Sequence, residues 1–191
     1  MNDTYITKEL DRVFTEFLKL FDDECKTILK NKAYFAGGCI YSLANFNIPN
    51  DYDIFLRDDE DLEVFKNLPF WKCQTEYALS YGKYQLITKY FGDPDDCVGQ
   101  FDFKHNMFYY VPFSNEVKKV CEDFDYLTCG WLILNENRAR DLEGVYLRIK
   151  KFKERGFIVP SDLKDKILKK TTRKKVKKYK RSRRTYNKNY Y

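Results

Sequence analysis

The chain has 191 residues, enough for one domain with a buried core and a small appendage, and its 43% hydrophobic and 18% aromatic content exclude a wholly disordered polymer. The net charge of +6 is unevenly spread: residues 168–191 carry twelve of the 35 Lys and Arg and no acid. That stretch is +12, and the remainder, with 23 bases against all 29 acids, is −6. No run of about 18 apolar residues occurs, and MNDTYITKELDR lacks the layout of a secretory leader, which points to a soluble intracellular protein. Six cysteines without a C-x-x-C pair are expected to be reduced and mostly buried, and a single histidine, His105, argues against a histidine-rich zinc site or a Ser-His-Asp triad.

Along the chain, Ile6, Leu10, Val13, Phe14, Phe17, Leu18, Phe21, Cys25, Ile28 and Leu29 recur every three or four positions, so residues 4–30 are expected to form one long amphipathic helix. AYFAGG reads as a short strand entering a glycine turn, and CIYSLANF as a brief helix ended near Pro49. In YDIFL, Tyr52, Ile54 and Leu56 alternate with Asp53 and Phe55, a strand whose period of two sends Asp51 and Asp53 to one face. DDEDLEVFKNL is expected to be a helix with acids in its first turn, where the dipole favours them. WKCQTEYALS and KYQLITKYF look like two strands joined through Tyr81 and Gly82, and GDPDDCVG is turn-rich or a single helical turn. QFDFKHNMFYYV alternates polar and aromatic residues as a further strand region, which would place Asp102 within a sheet. From about residue 115 the pattern turns helical: NEVKKVCEDF, a segment around YLTCGWLIL, and RDLEGVYLRIKKFKERGF, which Gly156 terminates.

The chemistry concentrates in FAGGCIYSLANFNIPNDYDIFL. Twin glycines, Gly37 and Gly38, between a strand and a helix let the backbone approach a phosphate, with exposed amides attracting the anion. Asp51 and Asp53 side by side call for a positive charge between them, and carboxylate oxygens suit Mg²⁺ or Mn²⁺, which shares its coordination with substrate phosphates. Asp102 is the candidate third carboxylate. Such a set supports nucleotidyl transfer, with Asp51, Asp53 and Asp102 as metal-binding and catalytic residues. Ser42 near the turn is a candidate phosphate ligand, Lys83, Lys89 and Lys104 are candidates to face a triphosphate, and His105 is either a nucleotide contact or an ordinary core residue.

The order of Gly37, Gly38, Pro49, Asp51 and Asp53 resembles the DNA polymerase β-type nucleotidyltransferases, and most nearly the head domain of tRNA CCA-adding enzymes and bacterial poly(A) polymerases. Two departures stand out: Tyr41-Ser42 replaces the family's Arg-Asp, and the later motif that selects the incoming base has no counterpart. LEGVYLRIKKFKERGF is similar to the C-terminal helix of small stand-alone, often viral, members. The resemblance covers roughly residues 33–104 and implies an α/β (α+β) fold for a domain expected over residues 1–160, a small mixed, twisted sheet with helices against one side and a helical C-terminal part. It also implies Mg²⁺- or Mn²⁺-dependent transfer of a nucleoside monophosphate from an NTP, with Gly37, Gly38 and Ser42 at the nucleotide.

Residues 161–191 are expected to form a flexible basic tail. There Arg173, Lys174, Lys175, Lys177, Lys178, Lys180, Arg181, Arg183 and Arg184 interleave with tyrosines, which suits phosphate attraction and base stacking, and favours RNA as the acceptor. An import signal or a contact with an anionic membrane surface has similar composition. Two other functions fit the same residues: an inactive nucleotidyltransferase fold kept as an RNA- or DNA-binding or interaction module, and an enzyme that nucleotidylates a protein or small molecule.

Overall fold

The computed structural model describes residues 3–137 and 142–163, which fall in two compact units, Met1–Cys129 and Gly130–Tyr191. In the first unit the helices are α1 (Asp3–Leu18), α2 (Asp23–Lys32), α3 (Gly38–Ala44), α4 (Leu62–Lys66) and α5 (Pro94–Val98). The strands are β1 (Ala33–Ala36), β2 (Tyr52–Leu56), β3 (Cys73–Gln74), β4 (Ala78–Tyr81), β5 (Tyr84–Phe91), β6 (Phe108–Tyr110) and β7 (Val117–Lys119). Among the described residues they form one sheet in the order β3-β4-β5-β2-β1-β6-β7, mixed because β2 and β5 run parallel and the other neighbours antiparallel.

Alternation along the strands divides the core. Phe35, Ile54, Leu86, Phe108 and Tyr110 face Phe14 and Phe17 of α1, Leu29 of α2 and Ile40 of α3. Their alternates Tyr34, Ala36, Phe55, Ile87 and Tyr109 pack with Cys97 and Val98 of α5 and with Met107. Tyr34 and Phe55 stack at 5.4 Å across β1 and β2. Helices therefore lie on both faces of the sheet, not on one.

Four other expectations are corrected. The long first helix is two helices: α1 closes through short-range bonds from Lys19 N to Glu16 O and Leu20 N to Phe17 O, and Asp22 then accepts from Cys25 N at 2.9 Å and starts α2. Of the acids of DDEDLEVFKNL only Glu63 lies in the first turn of a helix. Asp58, Glu60 and Asp61 instead surround Lys32 Nζ at 2.8, 3.2 and 2.7 Å, and α4 begins only at Leu62. Asp102 lies in a bend before a 3₁₀ turn, Lys104–Asn106, because the strand itself starts at Phe108. NEVKKVCEDF is no helix: Val117–Lys119 pairs with β6, burying Val117 and exposing Lys118 and Lys119.

In the second unit, α6 (Leu142–Glu154) buries Val145 and Ile149 and ends at Gly156, whose φ of +91° is the left-handed termination expected. Leu132 N donates to Ile158 O and Ile158 N to Gly130 O, both at 2.9 Å. No helix among the described residues is long and apolar enough to cross a membrane. The nine basic residues proposed for RNA contact, from Arg173 to Arg184, lie outside the described residues.

Candidate active site

The glycine pair serves two separate needs. Gly37 ends β1 with φ +81° and ψ −133°, a conformation costly for any side chain, and donates its N–H to Phe108 O at 3.2 Å. Gly38 opens α3, and a Cβ built there would meet nothing within 4 Å. The backbone at Gly38 thus faces open space, as a phosphate cradle requires.

The β1–β2 register sets Ala33 opposite Leu56, Tyr34 opposite Phe55 and Phe35 opposite Ile54. One step further brings Ala36 opposite Asp53, so the bend leaves the sheet beside the N-terminal end of β2. Asp53 is half-buried on the Tyr34–Phe55 face, beside Gln85 of β5, and Asp51, also half-buried, stands one position before the strand.

A residue that sequence reasoning passed over connects the two features. Cys39 is fully buried in the first turn of α3, its Sγ 3.7 Å from Ala36 O. Burial pushes its thiol pKa up, and the charges of Asp53 and then Asp51 push it further. Both carboxylates therefore lie within electrostatic reach of the helix turn that follows the glycines. The signal available in the sequence was only an apolar residue next to Gly38.

The residue before Asp102 touches the bend. Phe101 packs on Phe55 at 5.8 Å, and its Cε2 would stand 3.4 Å from a Cβ at Gly37, so the loop carrying Asp102 is pressed against the bend. Asp102 itself is buried. Among the described residues no three His, Cys, Asp or Glu side chains are arranged to hold a metal ion. The pair Asp51 and Asp53 fits Mg²⁺ on donor chemistry, since that ion is commonly held by one or two carboxylates and completed by substrate phosphates and water.

The remaining candidates separate. Lys83, in the β4–β5 turn, donates to Pro49 O at 3.4 Å and so stands at the aspartate end of the sheet. Lys89 is paired with Glu76 at 2.9 Å and Lys104 with Glu122 at 2.8 Å. Ser42 lies one turn beyond Gly38, about 6 Å along the α3 axis. His105 is 1% exposed, edge-on to Tyr41 at 5.1 Å and stacked on Phe103 at 5.9 Å. Burial lowers its pKa to about 3, so it is a neutral core residue at physiological pH.

With this geometry in place, known structures offer parallels. The CCA-adding enzyme of Bacillus stearothermophilus in complex with CTP superposes with a TM-score of 0.58 at 15% identity, covering 78% of this chain and 41% of that one. The Thermotoga maritima CCA-adding enzyme complexed with tRNA gives 0.50 at 16%, covering 81% and 44%, and an apo CCA-adding enzyme gives 0.52 at 16%, covering 87% and 45%. The likeness shows a nucleotidyltransferase-like fold, and the chain spans less than half the length of these enzymes. No curated protein matches it. Residues 8–143 match the family described as Gabija anti-defense 2 family protein.

Proposed function

The chain belongs to the Gabija anti-defense 2 family, and from that premise we propose that it counters this defence as a nucleotidyltransferase, moving a nucleoside monophosphate from an NTP to a hydroxyl acceptor. The observation that carries the reading is the glycine bend and the Asp51–Asp53 pair meeting at one end of a nucleotidyltransferase-like sheet. The acceptor oxygen forms a bond to the α-phosphorus while the bond from that phosphorus to the β-bridging oxygen breaks. Pyrophosphate leaves, and the hydroxyl proton passes to a carboxylate, for which Asp102 is the candidate.

Asp51 and Asp53 would hold Mg²⁺ or Mn²⁺, which when bound offsets triphosphate charge and polarises the α-phosphate. Gly37 and Gly38 would align the triphosphate through backbone amides, with Ser42 adding a hydroxyl. Arg173, Lys174, Lys175, Lys177, Lys178, Lys180, Arg181, Arg183 and Arg184 would draw an RNA 3′ end toward the protein. Support for nucleotide and RNA as partners comes from the CTP- and tRNA-bound states of the similar enzymes. The family description favours a second acceptor, a hydroxyl on a protein of the defence machinery.

The test incubates the full chain with each radiolabelled NTP, Mg²⁺ or Mn²⁺, and either total RNA or Gabija proteins. Label should enter one acceptor and be absent with Asp51→Asn or Asp53→Asn. Equal labelling by parent and variants, or none by either, rejects the enzyme and leaves a binding module.

A further inference from the structure

The second unit holds a cleft of its own. About 520 Å³ opens between α6 and the segment that follows the Gly156 turn, a volume within the roughly 300–1,000 Å³ of small-ligand sites. Tyr146, Ile149, Lys150 and Lys153 line it from α6, spaced by three and four residues so that they share one face of the helix. Pro160 and Ser161 line it from the later segment. Ile149 is 2% exposed and supplies an apolar floor, whereas Tyr146 is 47% exposed. Among the described residues no aromatic ring packs on Tyr146, and no acid pairs with Lys150 or Lys153.

The lining selects its occupant. The methylene stems of Lys150 and Lys153 continue the apolar wall while their ammonium groups reach the water at the rim. An occupant must therefore present a flat or apolar body to Tyr146 and Pro160 and negative charge at the rim. Residues 150–155 carry four cations, Lys150, Lys151, Lys153 and Arg155, against one acid, Glu154. The twelve positive charges of residues 168–191 begin five residues after Leu163, where the described chain ends. One sign of charge continued over this length suits a polyanion with regularly spaced phosphates. A nucleotide unit meets both demands, its base by stacking on an aromatic ring and its phosphate by ion pairing. A duplex hides the faces of its bases, so the strand must be single. Glu154 on the same rim repels a phosphate, but its carboxylate can accept from a ribose 2′-hydroxyl, a donor that DNA lacks.

We propose that this cleft holds one nucleotide of a single-stranded RNA. The base lies against Tyr146 and Pro160, the flanking phosphates meet Lys150 and Lys153, and the 2′-hydroxyl donates to Glu154. The cleft is an anchor for the strand, not the site of chemistry. The assignment takes from the reading above only that RNA is the partner, and it needs no transfer.

The test measures binding of a labelled single-stranded RNA to the full chain at high salt, where residues 168–191 contribute least, and then its salt dependence. Tyr146→Ala should weaken binding roughly 5- to 150-fold, the range for loss of one stacked base, and Tyr146→Trp should restore it. Lys150→Gln and Lys153→Gln should each lower the slope of log affinity against log salt by about 0.7. DNA of the same sequence should bind the parent more weakly than the RNA does, and Glu154→Ala should remove that difference. All four side chains are exposed, so each variant should keep the parental urea midpoint. Parental RNA affinity in Tyr146→Ala, an unchanged slope in both lysine variants, or equal binding of RNA and DNA by the parent overturns the proposal. So does an equal loss for double-stranded RNA, which offers no base face. A Glu- and Tyr-rich peptide that binds the parent more tightly than RNA, and is lost with Tyr146→Ala, makes the cleft a protein contact and overturns it too. Weakened RNA binding in a chain that transfers nothing upholds the anchor and rejects the transfer reading, whereas parental binding by Tyr146→Ala with transfer intact rejects the anchor alone.

Discussion

Two acid-rich stretches lie five residues apart and meet different fates. Asp58, Glu60 and Asp61 close around Lys32, a cation the chain supplies from the end of α2. Asp51 and Asp53 stand at the glycine bend, where their charges act on the buried thiol of Cys39. Folding brings the first cluster a cation of the chain's own, whereas a divalent cation is the counter-ion proposed for the second. Density of carboxylates therefore says little about function, and what the fold places opposite them says much.

Amidation breaks the comparison most sharply. Asp53→Asn or Asp51→Asn should lower nucleotide transfer by roughly 10²–10³-fold with an unchanged urea midpoint, as loss of one preorganised electrostatic group does. Asp58→Asn should leave transfer at the parental rate in the same assay. The glycines offer a second contrast. Gly37→Ala forces φ +81° on a side chain and should cost about 1–2 kcal/mol in urea denaturation. Gly38→Ala meets open space, so it should fold normally and raise KM for the NTP.

Smaller effects sharpen the distinction between structural and functional charges. His105 is held neutral, with its pKa near 3, while the unfolded chain protonates near the ordinary value of about 6.5. The unfolded state therefore takes up the proton first: stability is highest above about pH 6.5 and declines as the pH falls from there toward 3. The loss should be about 1 kcal/mol between pH 6.5 and 5.5, and His105→Phe should flatten that slope in urea titrations. Asp58 runs in the acid range. Lys32 holds its carboxyl below the usual range, so the stability it contributes is present above about pH 4 and lost as the pH falls through its depressed folded value. Lys32→Met should lower the urea midpoint at pH 7 and make the limb below pH 4 shallower, without altering transfer.

The candidate site was legible to the extent that it is local. Gly37-Gly38 could be assigned to a bend and Asp53 to a strand because period two and glycine's freedom at positive φ act within a few residues. The failures had one local and one tertiary origin. Asp22 captured Cys25 N–H and split the first helix, and Val117 paired with β6 in a stretch whose apolar spacing also suits a helix. In short segments both periods fit, and tertiary partners decide between them.

What the sequence determined by itself was the order of elements around the glycine bend, the place of Asp53 on a strand, and the segregation of positive charge into residues 168–191. Only the tertiary structure decided that α5 covers the second face of the sheet and that Lys32 answers the acids of residues 58–61. It also buried His105 among aromatic rings and opened a cleft beside Tyr146. The reason is physical: backbone geometry and side-chain alternation are set within a few residues, whereas burial and charge pairing depend on segments far apart in the chain.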